Sequence, residues 1–309
     1  MEIKEDCVCT LFEGDYHYGV GALVNSLYIA GFRGTVFAGY KGPLPDWART
    51  DENYRYEAGH GVIVQFIPLE TSWHLANYKA QFMSDLLANQ AKTVQRIAYF
   101  DPDIVVTCQW KFFRDWMDCG VAVVEEVTNG TMPSSHPLRR SWSQFLEVNG
   151  QTTINSMERY FNSGFVALTQ SRGGFLRLWQ KLMEAVLGDR DEMAAQFMPG
   201  DRSLPFYAVD QDCMNAALMA TQEEISAIGP EGMGFVPGGF TMQHAVGSPK
   251  PWRFSPLRSM ISGTPPSSAI KAFWQYADGP IHLMPDRQLK LRRIGVQIAA
   301  LSGRFHSRN

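Results

Sequence analysis

The sequence predicts an α/β protein with a mostly parallel central sheet covered by helices on both faces. Three observations carry that expectation. Short apolar runs alternate with stretches of helical periodicity through the first half of the chain. Acidic residues stand where several of those runs stop. The composition is that of an ordinary globular chain, with 45% hydrophobic and 19% charged residues among 309, which excludes a disordered polyelectrolyte. The length suits one large α/β domain with excursions. Parallel strands need crossover helices, and in such sheets ligands bind at the carboxyl ends of the strands.

In chain order, "CVCTLF" reads as a buried strand. "GVGALVNSLYIAG" follows with Val20, Leu23, Val24, Leu27 and Tyr28 near helical spacing, and Gly31 closes that helix. "GTVFAGY" and "GVIVQFIP" read as the next two strands. A helix is expected from about Ala76 to Ala91, then the strand "RIAYF", which ends at "DPD". Residues 110–155 read as an irregular, loop-rich excursion, aromatic and turn-rich in "TNGTMPSSHPLRRSW", and such excursions commonly carry recognition. "NSGFVALTQ" resumes a strand, "GGFLRLWQKLMEAVL" is an amphipathic helix, and "DQDCMNAALMA" opens another. The expected division is one catalytic domain over residues 1–285 and a basic amphipathic tail over 286–309.

Net charge is −3, which excludes bulk affinity for nucleic acid. The five cysteines, Cys7, Cys9, Cys108, Cys119 and Cys213, are scattered. They show neither zinc-ligand spacing nor a disulfide framework, and Cys7 and Cys9 share one strand face as small core residues. "MEIKEDCVCTLFEG" has no basic region followed by an apolar stretch, so no signal peptide is expected and a reducing, cytoplasmic setting is. No apolar run reaches the length of a membrane span.

Four stretches carry chemistry. In "IAYFDPDIVV", Asp101 and Asp103 flank a proline at a strand end; the pair is either a turn or a holder of a hard divalent cation. "NSGF" sets Gly164 beside Asn162, so the backbone can approach a ligand closely. "VDQDCMN" gathers Asp210, Gln211 and Asp212 at a helix N-terminus, where carboxylates are favoured with or without a ligand. "HAVGSPKPW" sets His244 and Lys250 on either side of a Gly-Ser-Pro turn, a place from which a lysine can neutralise phosphate.

In this order, "YFDPD", "NSGF", "DQDCMN" and "HAVGSPKPW" resemble the retaining glycosyltransferases of family 8, which have the GT-A fold and use nucleotide sugars. "CTLFEGDYHYGVGALVNSL" resembles that family's nucleotide-binding strand, loop and helix, so the likeness covers about residues 5–255. It implies transfer of a hexose from a nucleotide sugar, UDP-linked by expectation, to a glycan or lipid-linked glycan with retention of configuration. It implies a metal site of Asp101, Asp103 and His244, for which an oxygen-rich set with one imidazole suits Mn²⁺ or Mg²⁺ and favours Mn²⁺. Lys250 and Gly247 would meet the diphosphate. Lys79, Asp101, Thr10 and either Tyr16 or Tyr18 would contact the donor, the tyrosines by flanking the base or by packing. Asn162, Gly164, Asp210 and Gln211 would hold the sugar, with Asp210 and Gln211 as the catalytic pair and Glu125 or Glu126 as further candidates. His282, in "GPIHLMPD", is the rival third metal ligand, but lacks the accompanying glycine and lysine. "EGDYHYG" departs from the aspartate-rich loop of that family.

In the tail, Leu291, Ile294, Ile298 and Leu301 fall on one helical face, with the basic residues Lys290, Arg292, Arg293 and Arg304 around them. That face either docks on the domain or lies on an anionic membrane. The second case would make the protein peripheral on the inner membrane face and suit a lipid-linked acceptor. Two other readings stay open: a catalytically silent nucleotide-sugar or glycan-binding protein of the same fold, and a metal-dependent nucleotidyltransferase. The nucleotidyltransferase needs neither "NSGF" nor "DQD", and this sequence has no Gly-rich phosphate loop.

Overall fold

The computed structural model describes residues 5–188, 190–198 and 201–302. Its strands and helices alternate from the start: β1 (Asp6–Glu13), α1 (His17–Ile29), β2 (Gly34–Lys41), β3 (Arg55–Glu57), β4 (Val62–Pro68), α2 (Lys79–Ala88) and β5 (Arg96–Phe100). The chain continues through β6 (Ile104–Val106), α3 (Trp110–Cys119), β7 (Val121–Glu125), α4 (Pro137–Val148), β8 (Phe161–Thr169), α5 (Gly174–Leu187) and α6 (Asp191–Ala194). It closes with α7 (Val209–Ala220), β9 (Ile225–Ile228), β10 (Met242–His244), α8 (Pro256–Ser262), α9 (Ser268–Tyr276) and α10 (Asp286–Ser302).

Eight strands form one sheet in the order β3-β4-β2-β1-β5-β8-β7-β9. The β4-β2-β1-β5 block is parallel, as is the β7-β9 pair, while β8 runs antiparallel to both β5 and β7. Alternation along β1 explains why the sheet carries a core on each face. Cys7, Cys9 and Leu11 enter one apolar cluster, and Val8 and Phe12 enter the other. The two early cysteines are core residues, as expected. Gly31, at φ +89°, follows the end of α1 in a backbone region that favours glycine. The long helix expected from Ala76 is shorter: a 3-10 turn over Leu75–Tyr78 leads into α2.

The expectation of a loop-rich excursion over residues 110–155 is corrected. That segment holds α3, the core strand β7 and α4. Trp110, Phe113, Trp116 and Met117 recur at helical spacing and bury one face of α3, and Trp142 and Leu146 do so for α4. The turn-rich composition belongs to the connections on either side of α4.

The tail also differs in detail. Helix α10 docks through Leu289, Val296 and Ala299, which are buried. Arg292 donates to the Phe254 carbonyl at 3.0 Å and Arg293 to the Trp274 carbonyl at 2.8 Å. Leu291, Ile294, Ile298 and Leu301, the stripe singled out in the sequence, remain exposed. Arg304 lies outside the described residues. Among the described residues no helix is long and apolar enough to cross a membrane.

Candidate functional site

A cavity of about 700 Å³ opens where the carboxyl ends of β1 and β5 meet the start of β8, the N-terminus of α7 and the loop after β10. Asp101 directly follows β5, and its amide donates to the Gly164 carbonyl at 2.7 Å. Its own carbonyl accepts from the Ile104 amide at 3.0 Å, which closes the bend around Pro102 and aims Asp103 into the site. Antiparallel pairing of β10 with β6 sets His244 opposite Ile104, one residue from Asp103. Three ligand atoms of Asp101, Asp103 and His244 therefore lie within 4.8 Å of one another.

The donor set fits a divalent cation. His244 Nε2 lies 3.2 Å from Asp103 Oδ1 and 3.8 Å from Asp101 Oδ2. A Cβ on Gly164 would come 2.6 Å from His244 Cε1 and 2.8 Å from Asp101 Oδ2, so only glycine leaves the cluster its room. Two carboxylates and one imidazole are the ligand chemistry of Mn²⁺ or Mg²⁺ sites that keep positions for substrate oxygens.

Two lysines balance the acids. Lys79, the first residue of α2, is buried and contacts Asp101 at 3.1 Å and Asp210 at 3.0 Å. Burial works to lower its ammonium, but Asp101 and Asp210 outweigh that and hold it above the ordinary lysine range. Lys250 Nζ lies 2.5 Å from Asp103 Oδ2 and 2.9 Å from the Ala245 carbonyl. Burial works to raise the Asp103 carboxyl, yet His244 and Lys250 outweigh it and hold Asp103 well below the usual range. Three acidic side chains (Asp101, Asp103, Asp210) thus face two lysines and the His244 imidazole.

Next to this cluster, Asp210 Oδ2 accepts from Ser163 Oγ at 2.6 Å, and Gln211 Oε1 accepts from the Ser163 amide at 3.0 Å. Asn162 Oδ1 accepts from the Gly164 amide at 2.8 Å, while its Nδ2 donates to Glu126. The start of β8 and the first turn of α7 are thus tied together. Asp212 Oδ1 accepts from Tyr160 at 2.6 Å and Oδ2 from the Ala208 amide at 3.0 Å. Burial pushes the Asp212 carboxyl up to about 7, against the pull of those two donors.

Most residues singled out in the sequence reach the cavity wall: Tyr16, Lys79, Asp101, Asp103, Asn162, Asp210, Gln211, His244, Gly247 and Lys250. Gly164 lies beneath the cluster instead of on the wall. Thr10 does not reach it; the residue is fully buried in β1 and its hydroxyl has no partner among the described residues. Tyr18 packs tilted against His17 with ring centroids 4.2 Å apart and is also off the wall. Glu126 lines the cavity, whereas Glu125 pairs with Arg159 at 3.3 Å. His282 is exposed and pairs with Asp278 at 2.9 Å, outside the three-residue cluster. Sequence reasoning missed His74, Tyr160 and the stretch carrying Phe197, Met198, Arg202, Leu204 and Tyr207. Its one visible sign was large apolar residues inside the Pro- and Gly-containing loop "FMPGDRSLPFY".

This sheet order and strand-end site define the GT-A fold. Comparison with protein-family models and with curated proteins finds no match. Among solved structures, the chain is similar to the glycosyltransferase GlyE of Streptococcus pneumoniae TIGR4, at a TM-score of 0.52 and 12% identity over 94% of this chain and 64% of that one. It is similar to the bifunctional glycosyltransferase WbbM, at a TM-score of 0.55 and 15% identity, over 93% of this chain and 51% of that one. The galactosyltransferase LgtC, solved with donor and acceptor sugar analogs, matches at 0.52 and 13% identity over 93% of this chain and 99% of its own. The chain thus spans under two thirds of the length of GlyE and WbbM.

Proposed function

We propose that the protein is a metal-dependent glycosyltransferase that moves a hexose from a nucleotide sugar, UDP-linked, to a hydroxyl acceptor with retention of configuration. One observation carries this reading: Asp101, Asp103 and His244 converge with Lys79 and Lys250 at the carboxyl ends of the strands. Asp101, Asp103 and His244 would hold Mn²⁺ or Mg²⁺, which supplies charge stabilisation to the departing diphosphate. Lys250 leaves Asp103 for the diphosphate, and Gly247 gives the backbone close access to it. Asn162, Asp210 and Gln211 position the hexose, with Asp210 held 3.0 Å from Lys79.

An amide is a poor nucleophile, so Gln211 does not form a covalent intermediate. The acceptor hydroxyl attacks the anomeric carbon on the face the diphosphate leaves. The bond from that carbon to the diphosphate oxygen breaks, the bond to the acceptor oxygen forms, and the hydroxyl proton passes to the departing oxygen. Asp210 and the Gln211 carbonyl stabilise positive charge on the ring carbon.

Release of UDP or GDP from a panel of nucleotide hexoses, with and without Mn²⁺, tests this reading. Metal-dependent hydrolysis of one donor is expected, lowered about 100-fold or more by Asp103→Ala. Silence across the panel, with no calorimetric binding of UDP in the presence of Mn²⁺, would falsify it. A product of inverted anomeric configuration would remove the retaining step alone.

The exposed stripe of α10, beside Lys290, suits an anionic lipid surface. Leu291→Ser with Ile298→Ser is expected to lower partitioning onto phosphatidylglycerol vesicles about tenfold, since two apolar anchors are lost. Equal partitioning of the variant and the parent chain would remove the membrane contact.

A further inference from the structure

Of the three residues in the cation cluster, Asp101 is the least enclosed. Its side chain is 22% exposed, against 5% for those of Asp103 and His244. Its carboxylate therefore needs an anchor if one chosen oxygen is to face the cluster. Oδ2 is the oxygen on that side. It lies 3.8 Å from His244 Nε2 and 2.8 Å from the place a Cβ on Gly164 would take. Oδ1 accepts a hydrogen bond from the Tyr99 hydroxyl at 2.9 Å.

Lys79 does not decide between the two oxygens. Its Nζ lies 3.1 Å from Oδ1 and 3.4 Å from Oδ2, so the ammonium can follow the carboxylate in either orientation. Tyr99 has no such freedom. It lies in β5 between Cys9 of β1 and Val166 of β8, and it is only 1% exposed. The Lys79 ammonium covers its ring, 5.3 Å from the centroid. A phenol locked into the sheet donates from a fixed point, and a hydrogen bond to one oxygen of a ligating carboxylate orients the other.

We propose that Tyr99 is a positioning residue that reserves Oδ1 of Asp101, so that this carboxylate offers a cation Oδ2 alone. The consequence is a choice of ion. Mg²⁺ demands a compact octahedral shell, and Mn²⁺ accepts the same one. Ca²⁺ takes about six to eight oxygens and gains from carboxylates that give both of theirs. A carboxylate with one oxygen committed to a phenol suits the smaller ions and disfavours Ca²⁺. The proposal rests on the metal site of the glycosyltransferase reading and deepens it by naming what selects the ion.

The test is binding of Mn²⁺ alone to the full chain, followed by the electron paramagnetic resonance signal of the free ion, with Ca²⁺ as competitor. The parent chain is expected to prefer Mn²⁺. Tyr99→Phe keeps the buried ring and removes only the hydroxyl. Its Mn²⁺ affinity should fall about tenfold or more. Its Ca²⁺ affinity should hold or rise, because Oδ1 is released to join the shell, so the preference for Mn²⁺ falls by about the same factor. Unchanged Mn²⁺ affinity in the variant overturns the proposal. Equal losses for the two ions also overturn it, since Tyr99 then supports the site by packing and selects nothing. A parent chain that binds Ca²⁺ as tightly as Mn²⁺ overturns it without recourse to the variant. If the parent chain binds neither ion, the metal site itself fails and the proposal falls with it. Mn²⁺ binding by the parent chain thus separates the two failures.

Discussion

Asp103 and Asp212 line the same cavity, are 8% and 5% exposed, and have their carboxyls shifted in opposite directions. Asp103 is bracketed by His244 and Lys250, which keep it ionised despite burial. Asp212 has two hydrogen-bond donors, Tyr160 and Ala208, and among the described residues no ion pair, and burial outweighs the donors and the Arg139 charge to carry its carboxyl to about 7. The difference teaches where charge is wanted. Around the bend at Pro102 Asp101 faces Lys79 and Asp103 faces Lys250 and His244, so a bound cation would take over contacts that basic side chains now make. Beneath α7 the carboxyl serves the frame that holds Asp210 and Gln211 in place.

The largest expected effect comes from breaking the matched side. Lys79→Met leaves Asp101 and Asp210 without their shared ammonium, and an uncompensated buried charge costs about 3–5 kcal/mol. Urea unfolding at pH 7 should show that loss. Mn²⁺ should then stabilise the variant more than the parent chain, because it neutralises Asp101 in the folded state only. A loss under about 1 kcal/mol, or equal stabilisation by Mn²⁺, would show that Lys79 does not carry the balance.

Much of the fold was legible because each early strand is an unbroken apolar run and each break carries Gly, Asp or Pro. The aspartates were visible for the same reason: they stand where "RIAYF" stops. His244 was not accessible to periodicity, since β6 and β10 are three residues each; its Gly-Ser-Pro-Lys neighbourhood drew attention to it, and only the family resemblance made it a metal ligand. Thr10 stops short of the wall that the next three residues of β1, Leu11, Phe12 and Glu13, all reach, so its distance from the strand end is what separates it from the cavity. In α3 and α4, aromatic residues at helical spacing were outweighed by the turn-rich stretch between them. Phe197, Met198, Arg202 and Leu204 were missed as wall residues because their placement depends on tethers from Asn77 and Arg202 to distant carbonyls, which no local pattern encodes.

The second prediction concerns the unmatched side and follows from the sign of its shift. Asp212 binds its proton more tightly folded, at about 7, than at its ordinary value of 3.8. Between those values the native state holds more protons than the unfolded chain, so stability falls as pH rises from about 4 to 7 and levels off above. The contribution over that window is on the order of 4 kcal/mol. Asp212→Asn removes the titration. It turns an amide donor toward Tyr160 or Ala208 and so loses one bond at every pH, but its melting temperature relative to the parent chain should rise between pH 5 and pH 8. A difference that is constant across that range would mean Asp212 does not titrate there.

The smallest effect isolates one of the two donors. Tyr160→Phe removes the 2.6 Å bond to Asp212 Oδ1 and keeps the ring stacked on Trp142. The lost bond should cost about 1–2 kcal/mol near pH 8, where the carboxylate is ionised, and less near pH 5. A donor to the ionised form lowers a carboxyl pKa, so its removal moves the Asp212 transition further above 7. The falling limb of stability against pH should therefore extend upward in the variant. Unfolding measured at half-unit steps from pH 5 to pH 9 separates the outcomes. If the limb ends at the same pH in both chains, the frame beneath α7 is set by Ala208 and by burial, and Tyr160 contributes packing alone.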